Sequence, residues 1–160
     1  MTGEVADGWL GTCFMPEAGH VFLDDLEAGA KDAGRSLQDI DIQTGGYFEI
    51  SDDVDRLVAE RKPAMAFTLG AMGSAKTNFY NDAFSRAGYE AEAKKVQSLW
   101  VDGKKEEAIR AVPDEMVLRT NLIGTREMVI ERIRAYAAVG VTTLRVSTTC
   151  LLYTSDAADE

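Results

Sequence analysis

Few side chains in this 160-residue sequence are of types that do chemistry, and their surroundings narrow the choice further. A single histidine, His20, excludes any multi-histidine metal site, and no metal centre is expected. Cys13 has no neighbouring base or motif, which fits a packed thiol better than a nucleophile. Glu49 is either a proton donor or the acidic head of a surface helix that continues with Asp52, Asp53 and Asp55. Arg145 alternates with Leu144 and Val146 in VTTLRVS, so it faces the opposite way from its apolar neighbours. There it either neutralises a ligand's anion or enters an internal ion pair. Gly70-Ala71-Met72-Gly73 is either a backbone approach to a ligand or a break between packed helices. No Lys or Arg leads directly into those glycines to meet a phosphate, and Asn78, Phe79 and Tyr80 follow the same logic.

The elements that must position these residues repeat one unit. In GTREMVIERIRAYAAVGVTTLRVS, Gly124 to Ser147, Thr125 has the side chain of an N-cap. Val129, Ile130, Ile133, Tyr136 and Ala137 recur at helical spacing, and Gly140 supplies the C-terminal stop. The β-branched run after it predicts a strand. A helix feeding a short strand through one glycine is the unit of a parallel α/β protein. Upstream, Thr2 to Ala6 predicts the end of a helix and Trp9 to Thr12 a short strand. Pro16 to Ala33 predicts a helix with Phe22, Leu26 and Ala30 on one face. Ile40 to Ile50 predicts a second strand, whose Gly45-Gly46 pair marks a bulge or a close backbone approach. From Ser51 to Leu122 the pattern is helical throughout. Pro63 is expected to kink or restart the first of these helices, and Pro113 opens the last.

Bulk properties exclude several classes of function. Seventeen basic against 27 acidic residues give a net charge of -10, which opposes binding to nucleic acid or to an anionic membrane surface. No apolar run approaches the ~20 residues of a membrane span. Two cysteines make no disulfide framework, so a reducing cytoplasm is the expected compartment. Residues 150–160, CLLYTSDAADE, look like the in-frame translation of a sequencing adapter, the alternative being a genuine acidic tail. With the abrupt start at Met1, this predicts a native domain over residues 1–149 that is truncated at both ends. Three strands cannot close a barrel, which takes eight and typically ~250 residues. The segment after the first strand is also no G-x-G-x-x-G loop.

Taken together in order, GEVADGWL (Gly3 to Leu10), FTLGAMG and TNFYND (Phe67 to Asp82), VPDEMV (Val112 to Val117) and LIGTREMVIERIRAYAAVGVTTLRV (Leu122 to Val146) carry a resemblance. The chain resembles the C-terminal part of the luciferase-like flavin- and deazaflavin-dependent oxidoreductases, and most of all their deazaflavin (coenzyme F420) branch. The resemblance implies an α/β fold comprising about three strands and a helical insertion of a (β/α)8 TIM barrel. Gly8–Thr12, Ile40–Tyr47 and Thr142–Ser147 would be its sixth, seventh and eighth strands. It also implies hydride transfer between coenzyme F420 and a small organic substrate, with an FMN-dependent monooxygenase as the alternative. A non-catalytic module using residues 52–122 for dimerisation or partner binding is the reading from a different class.

Sites in such barrels lie at the C-terminal ends of the strands. The candidates there are Thr12 and Cys13, Tyr47 and Glu49, and Arg145, Ser147 and Thr148. Gly70, Gly73, Arg145 and Ser147 are the expected cofactor-binding residues, and a homo-oligomer is possible on this reading. The catalytic residues are not legible in this stretch.

Overall fold

The computed structural model describes residues 1–74 and 77–148, so the expected adapter-derived segment, residues 150–160, lies outside the described residues. The fold is α/β, with a parallel sheet flanked by helices.

A one-turn helix α1, Thr2–Val5, crosses α2, His20–Asp32, so closely that a Cβ at Gly3 would overlap the Leu26 carbonyl oxygen. Between them runs β1, Gly8–Leu10, followed by a 3-10 turn at Pro16–Ala18. After α2 a second 3-10 turn is closed by Asp39, whose carboxylate accepts from Ser36 N at 2.8 Å and Ser36 Oγ at 3.0 Å. It leads into β2, Asp41–Ile50, the longest strand.

The helical block begins with α3, Val54–Ala71, capped by Asp53, whose side chain accepts from Arg56 N at 3.1 Å. Pro63 neither breaks nor restarts this helix. Leu57 and Val58 before it and Met65, Ala66 and Leu69 after it are buried in one core, which holds the helix together despite the lost donor. Next come α4, Phe79–Phe84, a π-type turn in which Gly88 has φ 95°, and α5, Glu90–Val101. The block closes with α6, Lys105–Ala111, and α7, Asp114–Thr120.

The chain then makes a strand that the sequence pattern hides. β3, Leu122–Gly124, is fully buried and only three residues long, too short to show alternation. The predicted helix follows as α8, Arg126–Ala138, capped by Thr125, and then β4, Thr143–Ser147. Of the predicted apolar stripe on α8, Val129 and Tyr136 are buried while Ile133 and Ala137 are exposed.

All strand pairing converges on β2. Its residues Asp41–Gln43 pair with β1, Gln43–Tyr47 with β4 and Phe48–Ile50 with β3, all parallel. At the N-terminal end of the sheet, Asp41 accepts hydrogen bonds from the Thr142 hydroxyl, from Thr143 Oγ1 at 3.1 Å and from Gln43 Nε2 at 2.6 Å. Led by the Thr142 bond, these hold its carboxyl below the usual carboxylate range and clamp the start of β4 to β2.

Two cores result. A small one places Leu26 and Ala30 of α2 against Ile40 and Ile42. The larger one fills the helical block and reaches Ile123 of β3. Phe14 is fully buried, with ring centroids about 6 Å from Trp9, Phe22 and Tyr136. The Tyr136 hydroxyl donates to the Phe14 carbonyl at 3.1 Å, so the polar tip of a buried ring is satisfied.

Within the helical block, Asn81 is a buried tie. Its amide donates to the carbonyls of Leu69 at 3.2 Å and Ala93 at 2.8 Å, linking α3, α4 and α5. Replacing Asn81 with Ala strands those acceptors in a buried site, and a loss of about 2–3 kcal/mol in unfolding free energy is expected from urea denaturation. A change below about 0.5 kcal/mol would show that the tie does not bear on stability.

Candidate functional site

The C-terminal ends of β1 and β4 meet the middle of β2 in one groove. Gly11, Thr12 and Cys13 follow β1, Gly45, Gly46 and Tyr47 belong to β2, and Arg145, Val146 and Ser147 belong to β4. They enclose a cleft of about 200 Å³. A second lobe of about 260 Å³ shares Cys13, Gly45, Gly46, Tyr47 and Ser147 with the first. It is walled on its far side by Arg61, Ala64, Met65 and Thr68 of α3 and by Thr120 and Asn121.

The glycine pair makes this convergence possible. A Cβ at Gly45 would overlap the Arg145 carbonyl oxygen, and one at Gly46 would lie 2.5 Å from the Thr120 carbonyl oxygen. Both are close backbone approaches within the protein, which is one of the two roles expected of the pair. The carboxamide of Asn121 then fixes β2 from the α7 side. Its Oδ1 accepts from Tyr47 N at 3.1 Å, while its Nδ2 donates to the Val117 carbonyl at 2.9 Å.

The electrostatics of the groove run against those of the chain. The protein carries a net charge of -10, yet among the described residues none that lines either lobe is a carboxylate, and two are arginines. Arg145 is exposed on β4 and, among the described residues, enters no ion pair. The guanidinium carbon of Arg61 lies 3.9 Å from the centroid of the Tyr47 ring, a cation–π stack. The Tyr47 hydroxyl donates to Glu49 Oε2 at 2.9 Å, outside the groove. Glu49 Oε1 accepts from Arg56 at 2.8 Å. That bond, followed by the one from Tyr47, holds the Glu49 carboxyl below its ordinary range. Glu49 is therefore a fixed anion that orients Tyr47, and a carboxylate in that state has no proton to donate near neutrality.

Cys13 sits at the groove's floor with φ 55°, a conformation rare for a residue bearing a Cβ. Burial pushes its thiol up to about 11, which makes it a packing group. Thr12 is exposed beside it, its hydroxyl 3.4 Å from the Tyr80 oxygen.

Of the expected cofactor-binding residues, the fold brings Arg145 and Ser147 into the groove and leaves Gly70 and Gly73 outside its lining. Gly70 faces Trp100, where a Cβ would overlap the indole and its Cβ. Gly73 has φ 112°, and a Cβ there would overlap the Thr77 carbonyl oxygen. Sequence reasoning missed Arg61, Thr68 and Asn121. Arg61, Ala64, Met65 and Thr68 share one helix face at i, i+3, i+4 and i+7, a polar-ended stripe that the expected kink or restart at Pro63 obscured. Among the described residues, no group of three or more His, Cys, Asp or Glu is placed to hold a metal ion.

Two outcomes follow from this geometry. Gly70→Ala is expected to cost about 1–3 kcal/mol by overpacking against Trp100. In a Trp100→Ala background that penalty should fall below about 0.5 kcal/mol, and an unchanged penalty would dissociate Gly70 from the indole. In a Cys150→Ser background, Cys13 of the folded chain should react with iodoacetamide at pH 8 at about a thousandth of the full thiolate rate. The rate should climb tenfold per pH unit towards about 11. A midpoint near the ordinary value of about 8.5 would show a solvent-open thiol.

The fold is matched in a protein already described. The structure of the coenzyme F420-dependent tetrahydromethanopterin reductase from Methanopyrus kandleri superposes with a TM-score of 0.70 at 27% identity. The match covers 93% of this chain and 41% of that one, so the fold is that of part of a (β/α)8 barrel. In sequence, the chain is 32% identical over 149 residues to a Mycobacterium tuberculosis protein named as a coenzyme F420-dependent oxidoreductase. It is 31% identical over 141 residues to the 5,10-methylenetetrahydromethanopterin reductase of M. kandleri. These alignments take in 92% and 88% of this chain but only 43% and 38% of the two relatives. No helix among the described residues is long and apolar enough to cross a membrane. Residues 1–143 match the profile of the luciferase-like monooxygenases, and the chain belongs to that family.

Proposed function

We propose that this chain is the C-terminal part of a cytoplasmic deazaflavin-dependent oxidoreductase that passes hydride between coenzyme F420 and a small organic substrate. The observation that carries the reading is a groove in an acidic protein whose described lining residues include two arginines and no carboxylate. The relatives named for coenzyme F420 support it. The chain spans about two fifths of their length, so the activity is assigned to a protein that also supplies the preceding barrel units.

The donor set suits such a coenzyme. A deazaflavin presents ring carbonyls and an anionic tail, which need hydrogen-bond donors and positive charge, and a carboxylate in the wall would repel that tail. Arg145 and the hydroxyls of Thr12 and Ser147 lie on the strand-end side of the groove, where they would hold the polar edge of the ring. When bound, the deazaflavin accepts or supplies the hydride. The chain's own residues bind, orient and exclude water. Ala64 and Met65 give the groove an apolar side, and Tyr47 is locked by Glu49 and Asn121, so its ring forms a rigid wall. An FMN-dependent monooxygenase is the second reading, favoured by the family profile itself.

The test uses this chain joined to the five β/α units that precede it in the parent reading frame. Titration with coenzyme F420, followed by ring absorbance, should saturate in the micromolar range, and FMN should bind more weakly. Arg145→Gln should weaken F420 binding about tenfold, as expected for losing a charge-assisted hydrogen bond. Tighter binding of FMN than of F420 would select the monooxygenase reading. A parent frame lacking those units would end both.

A further inference from the structure

Arg61 differs from Arg56, Arg119 and Arg132, each of which holds a carboxylate within hydrogen-bond range. Arg56 is saturated, bonded to Glu49 at 2.8 Å and to Glu60 at 3.0 Å. Arg132 is held by Glu17 and by the Arg119 carbonyl, and Arg119 by Glu115. The nearest carboxylate oxygen to Arg61 belongs to Glu60, at 3.9 Å, beyond hydrogen-bond range, and Glu60 is already engaged by Arg56. Its Nε is buried and, among the described residues, has no hydrogen-bond partner. What positions the guanidinium is the Tyr47 ring beneath it, and that ring is itself fixed from both ends. A planar guanidinium has thus been stacked on an aromatic face and partly desolvated, its Nε left without an acceptor, at the wall of a groove that, among the described residues, contains no carboxylate. An unmet buried donor costs free energy until an acceptor arrives.

We propose that Arg61 is the centre of an oxyanion subsite, which takes a carboxylate or phosphate group of the ligand between the α3 wall and Ser147. Arg145 lines the other lobe of the same groove and is not part of this subsite. The subsite rests on the groove being the ligand site, and not on which coenzyme enters it. A guanidinium fork fits a carboxylate or phosphate through paired N–H donors, which a lysine ammonium does not reproduce.

The test follows the ¹⁵N-labelled full chain during titration with inorganic phosphate at constant ionic strength. Saturating shifts are expected at the Arg61 Nε–Hε signal and at the backbone amides of Tyr47 and Thr68, with none from matched chloride. Arg61→Gln should weaken phosphate binding tenfold or more, Arg61→Lys should retain part of it, and the distant exposed Arg134→Gln should leave it unchanged. Should Arg61→Gln fail to fold, the wild-type Nε–Hε response and the Lys variant decide the matter. Shifts that never saturate, that centre elsewhere, or that survive Arg61→Gln undiminished would overturn the subsite. In the protein joined to its preceding barrel units, competition between phosphate and coenzyme F420 assigns the oxyanion to the coenzyme. Phosphate binding that persists beside bound F420 assigns it to the substrate. If F420 does not bind at all, the coenzyme reading falls, while the subsite still stands or falls on the phosphate titration.

Discussion

The rest of the structure depends on how many neighbours one strand can hold. β2 pairs in turn with β1, β4 and β3 along its ten residues, and every functional side chain is placed relative to it. Such sharing demands close approach in the middle of the strand, where β4 and the end of α7 both press on it. Two consecutive residues without side chains, Gly45 and Gly46, are the physical solution. At one end the Asp41 carboxylate pins the start of β4, and at the other the Asn121 carboxamide pins Tyr47. Register is thereby fixed on both sides of the glycines. Arg145 and Ser147 reach the groove because β4 has no freedom to slide.

Charge is distributed with the same economy. The carboxylates nearest the groove are neutralised outside it: Glu49 by Arg56 and Tyr47, and Glu60 by Arg56. The interior of the groove is left to arginine, hydroxyl, amide and aromatic groups. Its floor adds a thiol that burial keeps protonated. Stability and the candidate site are thus built from different residues. The helical block is held by its own core and by buried asparagine ties, while the site hangs on the strand ends.

The parts of the fold legible in the sequence were those with long local patterns. The α8–β4 unit, the α2 face and the close approach at Gly45-Gly46 all express themselves in spacing or in a residue type with one strong physical meaning. β3 was not legible, because three buried residues carry no period. Pro63 misled for the opposite reason. Its local rule is strong, but the buried residues on either side of it decide the outcome, and those contacts are made with α5, α6 and α7. At the site, Arg145 could be found by alternation on its own strand. Arg61 could not, since what distinguishes it is an aromatic ring 14 positions away in sequence and a buried Nε that, among the described residues, has no hydrogen-bond partner. Gly70 shows the same limit, its partner Trp100 lying 30 positions further along.

The mismatch between an acidic surface and a basic groove bears on kinetics as well as affinity. An anionic molecule approaching from afar meets the field of the net charge, -10, before it meets either arginine. At physiological ionic strength that field is damped over about 8 Å, whereas a half-buried guanidinium inside the groove is screened far less. Salt therefore acts unequally on the two stages of capture. It relieves the repulsion that slows encounter, and it weakens the final contact only slightly. The groove thus works as a short-range trap, in which selection occurs after contact rather than by long-range attraction.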